Sequence, residues 1–302
     1  MLSQTLRLGI LGCDTSHVVE FTRRLNHVDC APEQQVDGAT IVAAWPGASR
    51  IAADRLPGYV ERLRQYGVAI VDTPEAFGGH HVDAILLEAQ EGATHAEFAL
   101  PWIAAGVPVF VDKPFACATA DAAQMVEAAV RAGTPLLSAS SLRFAREVTA
   151  AAGAAGPARG ASTYSPASVH PVNPGLFHYG VHGVEMLYTL MGPGCRDVRC
   201  VSTDGADDVL GVWDGGRLGG MRGVRGGAGG YGFSLFGERE VRMSAVATTW
   251  IYHELLKVVV ATLSGASPSP ISPRELVEAV AFQEAALRSA QSGGGAVPLP
   301  LV

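Results

Sequence analysis

The sequence predicts an α/β fold followed by an α+β one, and three observations carry that prediction. Up to about residue 139, short apolar runs alternate with helix-patterned stretches. Gly106 and Gly133 stand where two of those helices should stop. After residue 190, strand-length runs follow one another with only turn residues between them. The first pattern is that of a doubly wound parallel sheet with helices on both faces. The second is that of an open antiparallel sheet packed on helices.

The elements follow in order. Residues 6–11 read as a strand, 18–25 as a helix, and 40–45 as a strand ended by Pro46-Gly47. Residues 51–66 have a helical pattern, and 69–71 and 83–87 are short apolar strands. A helix at 96–105 leads to a buried strand at 107–111, ended by Asp112-Lys113-Pro114. An Ala-rich helix at 118–132 and a strand at 136–139 complete this half. The small residues at 150–160 read as a linker or loop, and 177–190 as one long helix. Runs at 198–202, 209–213, 218–224, 231–236 and 241–246 read as an antiparallel meander. Helices at 250–263 and 273–289 close the chain, with Glu275, Glu278, Glu284 and Arg288 expected on a solvated face. This places one domain at 1–143 and a second at 144–302.

Composition narrows the function. The chain has 302 residues, 48 % of them apolar, and a net charge of −7. That excludes disorder and disfavours a nucleic-acid partner. The longest uncharged apolar run, 98–111, is broken by Pro101, Gly106 and Pro108, so no membrane span is expected. No leader pattern shows at the start, and the five cysteines form no C-x-x-C pair. The expectation is a cytoplasmic protein with reduced thiols and a small-molecule substrate.

Only two of the 22 Lys and Arg residues are lysines, Lys113 and Lys257. Lys257 sits in an apolar helix without a motif. Lys113 falls at the carboxyl end of a parallel strand, where doubly wound sheets bind ligands. Pro114 fixes the backbone beside it. A plain surface lysine is the competing reading. His178 and His182, four apart, share a face of the expected helix, with Glu185 close to His182. Such a pair can serve catalysis, ligate a metal or simply be structural. No third ligand follows by spacing, so no metal is expected.

The run from Val107 to Pro114, together with Tyr179-Gly180-Val181-His182-Gly183-Val184-Glu185-Met186-Leu187 and the closing stretch 272–297, resembles the glucose–fructose oxidoreductase / inositol dehydrogenase / MocA family. Asp112-Lys113-Pro114 is similar to its Glu-Lys-Pro signature, with Asp for Glu. The resemblance implies a Rossmann-like first domain, NAD(P)-dependent oxidation of a sugar, cyclitol or related alcohol, and a homodimer or homotetramer formed through the C-terminal sheet. It implies Lys113 polarising the substrate oxygen and His182 taking the proton. His178 stands where the family carries Asp, and a neutral imidazole cannot supply that charge.

The first turn departs from the dinucleotide fingerprint. Gly12, Asp14 and His17 occupy its three glycine positions. Asp14 brings a side chain and a charge to where a pyrophosphate would lie, unless it, Thr15 or Ser16 caps the next helix. After the second strand no acid awaits the adenosine ribose. Ser49 and Arg50 are placed to hold a 2′-phosphate, or Arg50 is merely exposed. The cofactor-binding set is thus Gly12, Asp14, Thr15, Ser16, His17, Ser49, Arg50, Asp112 and Pro114. His95, Arg143 and Glu185 are substrate candidates, with an ion pair between domains the equal alternative for Arg143, and Glu88 and Glu91 flank a strand end at the cleft.

Three functions are open: a nicotinamide-dependent oxidoreductase, a cofactor-independent acid–base enzyme (lyase, isomerase, cyclase or hydrolase) on the same scaffold, and a non-catalytic sensor.

Overall fold

The computed structural model describes residues 5–299. They form two units. The first runs up to Phe115 and adds Gln124–Ser138 and Tyr252–Ile271; the second holds the remaining described residues.

In the first unit the chain runs β1 (Leu6–Leu11), α1 (His17–Leu25), β2 (Ala39–Trp45), α2 (Leu56–Gln65), β3 (Ala69–Ile70), β4 (Ala84–Leu87), α3 (His95–Ala104), β5 (Val109–Val111), α4 (Thr119–Ala132) and β6 (Leu136–Ser138). The first residues of α4 cluster with the second unit. The strands are parallel in the order β3-β2-β1-β4-β5-β6. Strands β4 and β5 are buried at every position, which is why they read as unbroken apolar runs. The order reverses between β1 and β4, so the ligand-binding crevice is set outside their carboxyl ends. Residues 51–55 do not extend α2 as the pattern suggested. Ser49 Oγ draws the Ile51 and Ala52 N–H groups into a turn, and Pro57 opens the helix instead.

The second unit contains α5 (Arg146–Ala155), β7 (Ala158–Pro166), α6 (Val181–Met191), β8 (Cys195–Ser202), β9 (Ala206–Trp213), β10 (Leu218–Val224), β11 (Gly232–Gly237) and β12 (Val241–Ala245). Helix α7 (Ile251–Leu263) belongs almost wholly to the first unit, whereas α8 (Pro273–Gln291) and β13 (Val297–Pro298) belong to the second. The sheet order is β12-β11-β7-β10-β9-β8-β13.

Three expectations change here. Residues 150–160 are no linker, because alanine favours helix and the stretch divides between α5 and β7. The meander is interrupted: β7 lies between β11 and β10 and runs parallel to β10. The long helix expected at 177–190 starts only at Val181, after a tight turn at Gly175–Phe177. Gly183 lets α6 approach the sheet, since a Cβ there would lie 2.7 Å from Met221 Cε. Thr163 Oγ1 donates to the Gly183 carbonyl at 2.9 Å. Trp213, Tyr188 and Phe282 form an aromatic core with ring centroids 5.8–5.9 Å apart.

The acidic face expected on α8 is not solvated. Glu275 and Glu278 are buried. Glu278 accepts N–H bonds from Gly194 and Cys195, and Glu284 accepts from the Thr119 N–H and hydroxyl. Ser272 caps the helix through the Glu275 N–H.

All five cysteines are free. Burial pushes the Cys13 and Cys195 thiols upward and holds those of Cys117 and Cys200 at about 12. Cys30 is only half-buried. With a disulfide reagent at mildly alkaline pH, one thiol per native chain should react fast, and Cys30→Ser should remove it. Several fast thiols in the native protein would contradict this packing.

Candidate active site

The turn after β1 is built on Gly12, whose φ is +84° and whose N–H donates to the Trp45 carbonyl. A Cβ at this position would lie 2.7 Å from the Ala89 nitrogen, so only glycine fits. Asp14 is not a helix cap. Its buried carboxylate accepts from the Gln90 N–H at 2.9 Å and from the Ser49 hydroxyl at 2.6 Å. It ties the turns after β1, β2 and β4 together. Ser16 stands at the N-cap of α1 without a side-chain cap bond. Thr15 offers Oγ1 only to the His17 N–H, at 3.4 Å. The helix start therefore keeps donor capacity for an anion.

Beside this turn lies a cavity of about 360 Å³ bordered by Gly12, Trp45, Gly47, Glu91 and Phe98. The Trp45 and Phe98 rings meet edge-on at 5.4 Å. Arg50 does not face it as a free cation. Its Nε lies 2.7 Å from Glu91 Oε2, and its Nη2 makes the second contact of a two-point pair. Both side chains proposed for a 2′-phosphate thus have other partners, Ser49 with Asp14 and Arg50 with Glu91.

Glu88 follows β4 and Asp112 follows β5; both are fully buried. Their backbone N–H groups donate to the Leu11 and Leu87 carbonyls, which fixes them to the sheet. His17, the first residue of α1, places Nδ1 at 2.8 Å from Asp112 Oδ2 and 3.9 Å from Glu88 Oε2. Its ring stacks on Phe21 and meets Tyr252 edge-on. Lys113 is 9 % exposed, with Nζ 3.9 Å from Asp112 Oδ2, and the Lys113–Pro114 bond is cis. Burial alone would raise the Asp112 carboxyl, but the charges of His17 and Lys113 hold it at about 2. Burial and the Asp112 charge push Glu88 well up. Asp112 is the ionised member of the pair.

His95 is fully buried, with Nδ1 3.2 Å from the Phe115 carbonyl and Nε2 2.7 Å from the Ala89 carbonyl. Burial lowers its pKa. Both ring nitrogens face backbone carbonyls, and the neutral ring donates to one of them, so His95 is committed to the backbone.

In the second unit, His178 precedes α6 and stands 5.3 Å ring to ring from His170. It does not share the helix with His182. His182 Nδ1 lies 2.6 Å from Ser140 Oγ, and its ring meets those of Tyr179 and Tyr231 edge-on. Sequence reasoning missed Ser140, although it sits two residues past the end of a parallel strand. Arg143 is buried and doubly paired, its Nε 2.6 Å from Glu185 Oε2 and its Nη1 bound to Glu275. Arg143 and Glu185, read as substrate candidates, are thus partners in one ion cluster.

Residues 18–140 match the model of the oxidoreductase family with an NAD-binding Rossmann fold, GFO_IDH_MocA. An inositol 2-dehydrogenase of Klebsiella pneumoniae (strain 342) is 32 % identical over 139 residues, which are 46 % of this chain and 37 % of that protein. The match thus spans little more than a third of the relative's length. Among solved structures, GenD2 from gentamicin A biosynthesis, in complex with NAD, superposes with a TM-score of 0.80 at 19 % identity, covering 100 % of this chain and 98 % of its own. Scyllo-inositol dehydrogenase from Lactobacillus casei, with bound NAD(H) and scyllo-inositol, gives 0.78 at 13 % identity, covering 98 % and 99 %. At these identities the structural likeness is one of fold. The family match covers 123 of the 302 residues, from the start of α1 to just past β6.

Proposed function

We propose that this chain is an NAD-dependent oxidoreductase acting on a secondary alcohol or ketone of a cyclitol, sugar or related polyol. The observation that carries the reading is Lys113, largely buried at the carboxyl end of β5 and near the reversal point of the sheet. Similarity to an inositol 2-dehydrogenase supports the substrate class.

The residues fit the cofactor. The start of α1, where the N-cap Ser16 makes no side-chain bond, suits the diphosphate. The cavity at Trp45 and Phe98 suits the adenosine, and Glu91 offers the ribose hydroxyls the carboxylate that the β2 end lacks. The Asp14 charge is turned onto two donors. When bound, the nicotinamide supplies the hydride acceptor. Lys113 would donate a hydrogen bond to the reacting oxygen and stabilise the charge that develops there. His182 would take the hydroxyl proton on Nε2, with Nδ1–H donated to Ser140 Oγ fixing that tautomer.

Glu91 and its pairing with Arg50 favour NAD over NADP, because a carboxylate beside the ribose repels a 2′-phosphate. Fluorescence titration should show NADH binding at least about tenfold tighter than NADPH, about 1.4 kcal/mol. Glu91→Ala, which frees Arg50, should narrow or reverse the preference. Equal or tighter NADPH binding by the native chain would overturn the assignment. No binding of either nucleotide at millimolar concentration would overturn the redox reading and favour the cofactor-independent acid–base enzyme.

The same proposal includes a homodimer or homotetramer. One face of the second sheet carries exposed Tyr164, Leu210, Leu218, Phe236, Val241 and Met243. Their register places them together on that face. Such an apolar patch marks an interface. Light scattering should give a mass of two or four chains, and Leu210→Arg with Leu218→Arg should reduce it to one. A monomeric native protein would refute the assembly.

A further inference from the structure

We propose that His17, Glu88 and Asp112 form a binding site for one first-row transition-metal dication, with Zn²⁺ the readiest occupant. This goes against the sequence expectation of no metal, and it draws on His17 and Asp112, two of the residues expected at the cofactor.

One imidazole nitrogen and two carboxylate oxygens, each fixed by a different element, lie within 4.8 Å of one another. A tetrahedral ion with bonds near 2.0–2.1 Å needs ligand atoms roughly 3.3 Å apart. The observed separations from His17 Nδ1, 2.8 Å to Asp112 and 3.9 Å to Glu88, bracket that value. Small side-chain adjustments reach it without moving the sheet.

A second observation points to the same ligand. Neither Glu88 oxygen nor Asp112 Oδ1 has a hydrogen-bond partner, although all three atoms are buried. Unpartnered buried carboxylate oxygens are costly, and native proteins rarely leave them so. Protonating Glu88 turns one of its oxygens into a donor but leaves the other without one. The Lys113 ammonium is 3.9 Å from Asp112 Oδ2, beyond hydrogen-bond distance. A cation coordinated by both carboxylates satisfies them and compensates two negative charges at once. The imidazole selects Zn²⁺ or Fe²⁺ over Mg²⁺ and Ca²⁺. Three protein ligands leave a coordination position open.

The test uses the full chain after chelator dialysis. Calorimetry with Zn²⁺ and elemental analysis after desalting should give about one metal per chain. Glu88→Gln and His17→Gln should each weaken binding by at least about 10- to 100-fold, and His178→Gln should leave it unchanged. No stoichiometric zinc, or one zinc held equally well by both Glu88→Gln and His17→Gln, would overturn the site. Should those variants fail to fold, X-ray absorption of the zinc-loaded native protein decides. One imidazole with oxygen donors supports the site, whereas sulfur or two imidazoles overturns it. NADH titration of the zinc-free protein is read separately, so loss of nucleotide binding and absence of metal remain distinguishable.

Discussion

Lys113→Met is expected to lower kcat by about 10²–10⁴-fold with nucleotide affinity retained. Methionine keeps the length of the side chain and removes the ammonium. The lost interaction is one that strengthens as charge develops on the reacting oxygen, so the effect belongs in kcat more than in KM. Lys113→Arg should not rescue the activity. A guanidinium is planar and spreads its charge over a fork of donors, whereas the ammonium is a compact point charge on a flexible stem. Steady-state kinetics with a cyclitol or sugar panel, alongside NADH titration of the same variants, checks both statements. A Lys113→Met enzyme within tenfold of the native kcat would remove Lys113 from the chemistry.

Arg143→Ala is expected to destabilise the second unit by about 3–5 kcal/mol, because it leaves the Glu185 and Glu275 carboxylates buried without their cation. Burial opposes the Arg143 charge, but the two carboxylates outweigh it and keep the guanidinium protonated. Its geometry is that of a fork with a separate acceptor on each arm. For a unit of this size the loss corresponds to a fall in Tm on the order of 10 °C. Adding Glu185→Gln and Glu275→Gln to Arg143→Met should recover much of it, since the carboxylates then need no counter-charge. Thermal melts and urea titrations of the single and triple variants measure this. A loss below about 1 kcal/mol for Arg143→Ala would mean that the cluster is solvated.

The parallel strands were legible because burial on both faces writes them as unbroken apolar runs, as in β4 and β5. Lys113 was legible because a rare residue type fell at a strand's carboxyl end, while Lys257 proves to be an exposed partner of Glu254. The strand β7 was not legible, since its small residues look like a linker and its neighbours β10 and β11 lie more than fifty residues downstream. Glu275 and Glu278 misread for a related reason. Each charge is indistinguishable from a surface charge until the partner that compensates it is brought alongside.

The sequence by itself determined the alternation of elements and the departure at Asp14 and His17 from the glycine fingerprint that Gly12 keeps, because periodicity and turn chemistry act over a few residues. Only the tertiary structure decided what the departing side chains do. It gave Asp14 to Gln90 and Ser49, Arg50 to Glu91, His182 to Ser140, and His17 to a pair of buried carboxylates. The physical reason is that a buried polar group must find its partner in space, and the partners here come from strand ends and loops up to 95 residues apart.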